Sequence, residues 1–423
     1  MSKTHIARHS RITPPRQPTR MTRTGAATLV LLFATAQGDS TGSVLAGPVM
    51  ATTKAPARAP ITITPAAGAS AARPEQGISL TSTTGTLGTI QVSANGSAIQ
   101  GETNTNGTRW QSRWPLSPGR SYQVTATSTA STGKVTTITS TFTTAAAQNT
   151  VAASASILND GDTVGVGMPI IINFSRPVSN RAQTERALEV RTSTPVERAW
   201  HWAGRQQVIF RPKTYWPAGT KVRMIAHLRG ARTAKGVYAT KNLTLSFTIG
   251  DAVISTVDTK KHTMTVGRNG TVLRTFPISA GRATEPRFTT TDGIHVVSEK
   301  LSPVIFDSAT VGIPKGAPGY YYIKGYWAVR ISDTGEFVHS APWSVADQGK
   351  RNVSHGCVNT DPADAQWFFK LSHPGDIVTV TGTSRKLEWD NGLGYWQRPW
   401  NTWVAGSALH RSLTTSPLTA TNR

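Results

Sequence analysis

Over residues 76–145 short runs of alternating apolar and polar positions are broken by turn signals. Ile90-Gln91-Val92 runs into Asn95-Gly96, Tyr122-Gln123-Val124 follows Pro118-Gly119, and residues 135–144 set Thr between Val, Ile and Phe. A period of two with Gly, Pro and Asn at the breaks predicts strands joined by tight turns, as in a β-sandwich. The pattern then recurs. Trp114-Pro115-Leu116-Ser117-Pro118-Gly119 before one strand is echoed by Trp216-Pro217-Ala218-Gly219 before another. Each copy closes on a Thr-rich strand carrying Phe, at Phe142 and Phe247. The repeat predicts two tandem sandwiches, over 76–147 and 148–250. Their large aromatics read as core.

From 251 to 382 the pattern changes. Residues 252–257, 262–266, 271–278, 293–297, 326–332 and 335–339 read as strands, with Asn269-Gly270 as a hairpin turn. Asp361 is a good N-cap, Pro362 a good first helical residue, and Asp364 suits the first turn. The helix buries Ala365, Phe368 and Phe369 and ends near His373-Pro374-Gly375. Its positive end is expected near Cys357, lowering the thiol pKa. Residues 383–423 form an aromatic-rich tail with Trp389, Trp396, Trp400 and Trp403. Those rings either pack on the preceding domains, the favoured reading, or form an exposed face for sugars.

Composition bounds the partners. Lys plus Arg is 45 against 22 for Asp plus Glu, a formal charge of +23 over 423 residues. That charge fits anionic surroundings, or simply solubility. The basic residues are scattered and carry no nucleic-acid signature, so an anionic cell envelope is favoured over DNA or RNA. Residues 1–24 are basic without an acid, and 25–36 are apolar, with Ala34-Thr35-Ala36 as a cleavage site. This reads as an export signal over 1–36, with Met21 as an alternative start. The apolar run is short of the roughly 20 residues that span a bilayer, so an uncleaved anchor is the second choice. Residues 37–75, rich in Ala, Thr and Pro, read as a flexible tether.

Cys357 is the chain's one cysteine, within Ser354-His355-Gly356-Cys357-Val358-Asn359. A lone thiol has no disulfide partner, and most such thiols are inert buried hydrophobes. Export changes that weighting, because secreted cysteines are usually paired. His339, followed by Ser340, and His355 are the right types to activate a thiol. Gly356 permits close backbone approach beside the sulfur and frees amides for an oxyanion. No metal site is expected, since structural zinc wants paired cysteines. No cofactor is expected either.

His339, fourteen intervening residues, then Ser-His-Gly-Cys-Val-Asn resembles the signature of the L,D-transpeptidases, the YkuD-type peptidoglycan cross-linking enzymes. His339-Ser-Ala-Pro-Trp-Ser-Val345 and Asp361-Pro-Ala-Asp-Ala-Gln-Trp-Phe-Phe369 resemble the actinobacterial members. The resemblance implies a mainly β chain: two tandem immunoglobulin-like sandwiches, a catalytic domain over 251–382 with a short helix after the cysteine, and a C-terminal subdomain. It implies Cys357 as nucleophile and His339 as base, oriented by the Ser340 carbonyl. Amides of His355, Gly356 and Cys357 are the expected oxyanion donors. His355 either orients the loop or assists the acceptor amine, and Asn359 either binds peptide or holds a turn. Trp343, Ser354 and one of Tyr320 and Tyr321 match cleft positions, and Phe306 stands where relatives carry Met. The implied substrates are stem peptides: a tetrapeptide donor and a diaminopimelate acceptor, joined 3→3 with loss of D-Ala. Carbapenems are the implied covalent inhibitors. The alternatives are an L,D-carboxypeptidase using the same thioester and a non-catalytic wall-binding protein.

Overall fold

The computed structural model describes residues 60–418. The expected export signal, and the expected tether up to residue 59, lie outside these residues. Among the described residues no helix is long and apolar enough to cross a membrane.

The tether expectation is corrected beyond residue 59. Ile61–Thr64 is a strand, paired antiparallel with Ser79–Ser82, and Ile61 is buried. The alternation Ile61-Thr62-Ile63-Thr64 suffices for a strand with one face inward; the surrounding Ala and Pro hide it from a composition reading. The first sandwich therefore starts at 61, not 76. Its two four-stranded sheets close over Ile61, Ile78, Leu80, Trp110, Tyr122, Val124 and Phe142.

The repeated pattern has a structural counterpart. In the first sandwich Tyr122 lies opposite Phe142 on antiparallel strands, and in the second Val222 lies opposite Phe247. The Trp-Pro…Gly segments are the turns that feed those strands. The second sandwich packs two five-stranded sheets around Trp200, Phe210 and Trp216. Each sheet takes its outermost strand from the C-terminal tail. Leu413–Thr414 pairs with Glu197–Ala203, and Ser416–Pro417 runs parallel to Leu188–Thr192. Val296, Ile377, Tyr395 and Trp403 join the same core, so sandwich, third unit and tail share one apolar interior.

The third unit is a nine-stranded sheet. Near its middle Val358–Thr360 lies between Thr271–Ser279 and Phe337–Ser340, antiparallel to the first and parallel to the second. The helix Pro362–Leu371 follows at once, and the Asp361 carboxylate accepts the Ala363 amide at 2.8 Å. It buries Ala365 and Phe368 against a cluster that includes Val338 and Val358, while Phe369 is partly covered. A separate two-stranded ribbon, Val304–Asp307 with Tyr322–Gly325, stands beside the sheet.

Candidate active site

The parallel pair sets the site. Its register places Val338 beside Val358, His339 beside Asn359 and Ser340 beside Thr360. Strand side chains alternate faces. Val338 and Val358 therefore turn to the helix side, and His339, Asn359 and the preceding Cys357 turn to the other. This overturns the expectation that the helix N-terminus lowers the thiol pKa. The helix covers the opposite face, and burial pushes the thiol up, to about 12. The Phe337 amide, facing the sulfur, opposes that rise; the Glu336 carboxylate adds to it, and Arg330 offsets it.

The thiol donates to the Gly335 carbonyl, Sγ to oxygen 3.6 Å. Among the described residues no hydrogen bond joins it to His339. His339 is buried, 3 % exposed, and its Nδ1–H donates to the Ser340 carbonyl at 2.8 Å. That bond leaves Nε2 with its lone pair. Burial pushes the imidazole down, to about 4, against the Ser340 carbonyl and a hydrogen-bonding contact from Asn359. At neutral pH the resting site thus holds a neutral thiol and a neutral imidazole. The Phe306 ring covers His339 with centroids 4.5 Å apart, and the Trp343 ring lies 6.0 Å away. Trp343 is 54 % exposed and open to a ligand.

Two expected binding residues are turned inward. Ser354 is buried; its hydroxyl donates to the Cys357 carbonyl at 2.5 Å and accepts the Gly356 amide at 3.1 Å. With its proton and one lone pair so engaged, it braces the loop. Asn359 is buried under His339 and donates to the Ser344 hydroxyl at 3.1 Å, so it supports the base. The Gly356 amide, expected as an oxyanion donor, is already taken by Ser354. Among the described residues the amides of His355 and Cys357 have no acceptor, and they are the pair left for an oxyanion. Gly356 sits at φ +128°, where side chains are strained; a Cβ there would meet only Glu336, at 3.9 Å. The backbone angle, not space, demands glycine.

The segment leading into the ribbon separates the tyrosines. Tyr321 comes within 5.3 Å of the His355 ring and is pushed up to about 12 by burial, with the Cys357 charge adding to it. Tyr320 turns to Asp307 instead. His355 is flanked edge-on by Phe288 at 4.9 Å, and burial, with Arg282 and Arg287 nearby, pushes its pKa down. Arg287 is paired with Glu285, whereas Arg282 lies over Phe288 with no acidic partner among the described residues. It gives the cleft an unneutralised cation beside His355.

Sequence reasoning missed the residues behind the loop. Thr290 accepts the Gly281 amide and donates to the Gly356 carbonyl, both at 2.8 Å. Asn352 accepts the Ala280 amide at 2.9 Å and donates to the Thr259 carbonyl. Glu336 is buried one residue from the Gly335 carbonyl. The signals are weak in sequence: a Thr289-Thr290-Thr291 run before a strand, and one acid amid apolar residues.

Comparisons with known proteins agree with this layout. Residues 69–232 match "Bacterial Ig domain", and residues 252–380 match "L,D-transpeptidase catalytic domain". The chain is 37 % identical over 333 residues to "L,D-transpeptidase 2" of Mycobacterium tuberculosis (strain CDC 1551 / Oshkosh), covering 78 % of this chain and 80 % of that one. It is 38 % identical over 223 residues to "L,D-transpeptidase 1" of Mycobacterium tuberculosis (strain ATCC 25618 / H37Rv), covering 53 % and 82 %. A solved LD transpeptidase in complex with imipenem is 37 % identical, with a TM-score of 0.47, covering 55 % of this chain and 99 % of that one.

Proposed function

The chain belongs to the L,D-transpeptidases, enzymes that cross-link peptidoglycan, and from that membership we propose that Cys357 is its nucleophile and His339 its general base. The observation that carries this reading is the bond from His339 Nδ1 to the Ser340 carbonyl, which leaves Nε2 basic on the face that Cys357 shares. A thiol held near pKa 12 supplies about one thiolate in 10⁵ at pH 7, so its proton has to leave as the bond forms. Cys357 attacks the carbonyl of the third residue of a tetrapeptide stem and its proton passes to His339. The C–N bond breaks, the leaving D-Ala amine takes that proton, and a thioester remains. The diaminopimelate side-chain amine of a second stem attacks the thioester, losing its proton through His339 to the departing sulfur. The product is the 3→3 cross-link. The amides of His355 and Cys357 hold the oxyanion in both halves. Tyr321, Trp343 and Phe306 shape the cleft, and Arg282 offers a cation to the carboxylates of a stem. The basic chain and the export signal read at its N-terminus support work at an anionic cell wall, and carbapenems are the acylating inhibitors this reading expects.

The test is product analysis. Incubated with disaccharide-tetrapeptide, the protein is expected to release D-Ala and to form 3→3 dimers seen by mass spectrometry. Tripeptide without dimer would make it a carboxypeptidase; unchanged substrate would leave a wall-binding role.

A second measurement isolates His339. Acylation by a carbapenem, followed as a mass adduct on Cys357, is expected to slow about 10²-fold or more at pH 7 in His339→Ala. The deficit should shrink as pH rises, because hydroxide then takes the thiol proton that the imidazole took before. Equal rates at pH 7 would remove His339 from the role.

A further inference from the structure

His295 is wholly buried, and both of its ring nitrogens face carbonyl oxygens. Nδ1 lies 3.1 Å from the Ile331 carbonyl and Nε2 lies 2.8 Å from the Thr291 carbonyl. A carbonyl only accepts, so both bonds form only if both nitrogens carry protons. The same Thr291 that receives one of these bonds holds Glu336. Its amide donates to Oε1 and its hydroxyl to Oε2, each at 2.7 Å. Glu336 is 4 % exposed. The imidazole and the carboxyl group thus meet the same threonine, the ring at its main-chain carbonyl and the carboxyl at its amide and hydroxyl, and a buried charge needs such a partner.

The place of this pair matters. Gly335, immediately before Glu336, supplies the carbonyl that accepts the hydrogen bond of the Cys357 thiol. Phe337, immediately after, supplies the amide facing the sulfur. We propose that His295 and Glu336 are a buried charge pair, keyed by Thr291, that positions the Gly335–Phe337 backbone against the Cys357 sulfur and governs the charge the sulfur meets. Glu336 alone would oppose the thiolate. With His295 paired to it, the sulfur sits beside a nearly neutral unit. Both are positioning residues, since neither touches the reacting atoms. The proposal rests on Cys357 as the reacting thiol, yet its test needs no turnover.

The probe is iodoacetamide, and the readout is the alkylation rate of Cys357 at fixed pH, by intact mass of the full-length protein. Below its pKa a thiol is alkylated in proportion to its thiolate fraction. Glu336→Gln keeps the shape and removes the negative charge; its rate should rise roughly threefold to tenfold. His295→Gln removes the positive charge and should slow alkylation by a similar factor. The double variant should return towards the wild-type rate. The other titratable or charged groups around the sulfur, His339, His355, Tyr321 and Arg330, are unchanged throughout. A merely structural pair would move both single variants in one direction, and that result, or no change, overturns the proposal. Should a variant fail to fold, ¹⁵N spectra of the histidine-labelled wild-type protein decide it. Both His295 nitrogens protonated support the pair; one bare nitrogen refutes it.

Discussion

The Cys357→Ser protein is expected to release no D-Ala and to form no 3→3 dimer under conditions where wild type consumes the substrate. The geometry explains why the oxygen analogue fails. His339 is neutral, its imidazole held down at about 4 by burial, so it is a weak base. A thiol, even one pushed to about 12, can still pass its proton to such a base as sulfur attacks. A serine hydroxyl is several units less acidic and less nucleophilic, and among the described residues no carboxylate touches His339 to strengthen it. The expected loss is about 10⁴-fold or more. The serine variant should keep the fold, because the thiol makes only one long hydrogen bond, to Gly335. An unchanged melting curve with no dimer would separate lost chemistry from lost structure. Dimers from the serine variant would end the assignment.

Deleting residues 386–423 is the second large effect, and it acts on stability. Trp403 is fully buried, and its Nε1–H donates to the Ala199 carbonyl at 3.2 Å. Trp396 donates to the Gly167 carbonyl at 2.9 Å. The guanidinium of Arg211 lies over the rings of Trp396, Trp400 and Trp403, at 4.8, 5.2 and 4.7 Å from their centres. Rings engaged in this way belong to packing rather than to a sugar-binding face. Each can bury about 150–250 Å², so the four together contribute several kcal/mol before ordering entropy. The truncation also removes one edge strand from each sheet of the second sandwich and leaves Arg211 without its aromatic cover. A fall in melting temperature of roughly 10 °C or more is expected, with lower soluble yield. A truncated protein that melts like wild type but binds peptidoglycan poorly would reverse this account.

How far the sequence could be read depends on whether a feature is local. The strands around His339 and the helix at Pro362 are readable because alternation, an N-cap and a first-turn proline act within a few residues. Cys357 and His339 stand out because a single cysteine two residues from one histidine, with a second histidine upstream, is a rare pattern. Sequence leaves the roles of Ser354 and Asn359 open because both are polar and near the thiol, and only the tertiary fold shows them bonded inward. The helix was aimed wrongly because one residue of strand phase decides which face Cys357 occupies. Tyr320 and Tyr321 are not separable in sequence because they are identical neighbours just before a strand, and only the fold shows one near His355 and the other near Asp307. The strand Ile61–Thr64 was lost because Ala and Pro around it carry the composition of a linker. His295 and Glu336 lie far apart in sequence, with nothing local to join them.

The strands Leu413–Thr414 and Ser416–Pro417 give the fold a particular topology. The second sandwich is discontinuous: the sheet of nine strands is an insertion between its main body and its last two edges. A chain made from N- to C-terminus therefore finishes its second domain last. The sandwich waits, with two open edges and an uncovered Arg211, until more than a hundred further residues have been synthesised. Closing it joins residues some 220 positions apart, such as Thr192 and Thr415, whose hydroxyls meet at 2.6 Å. Contacts of that separation form late and slowly. Residues 413–417 thus act as a clasp, locking a catalytic unit that folds before them onto a platform made before it.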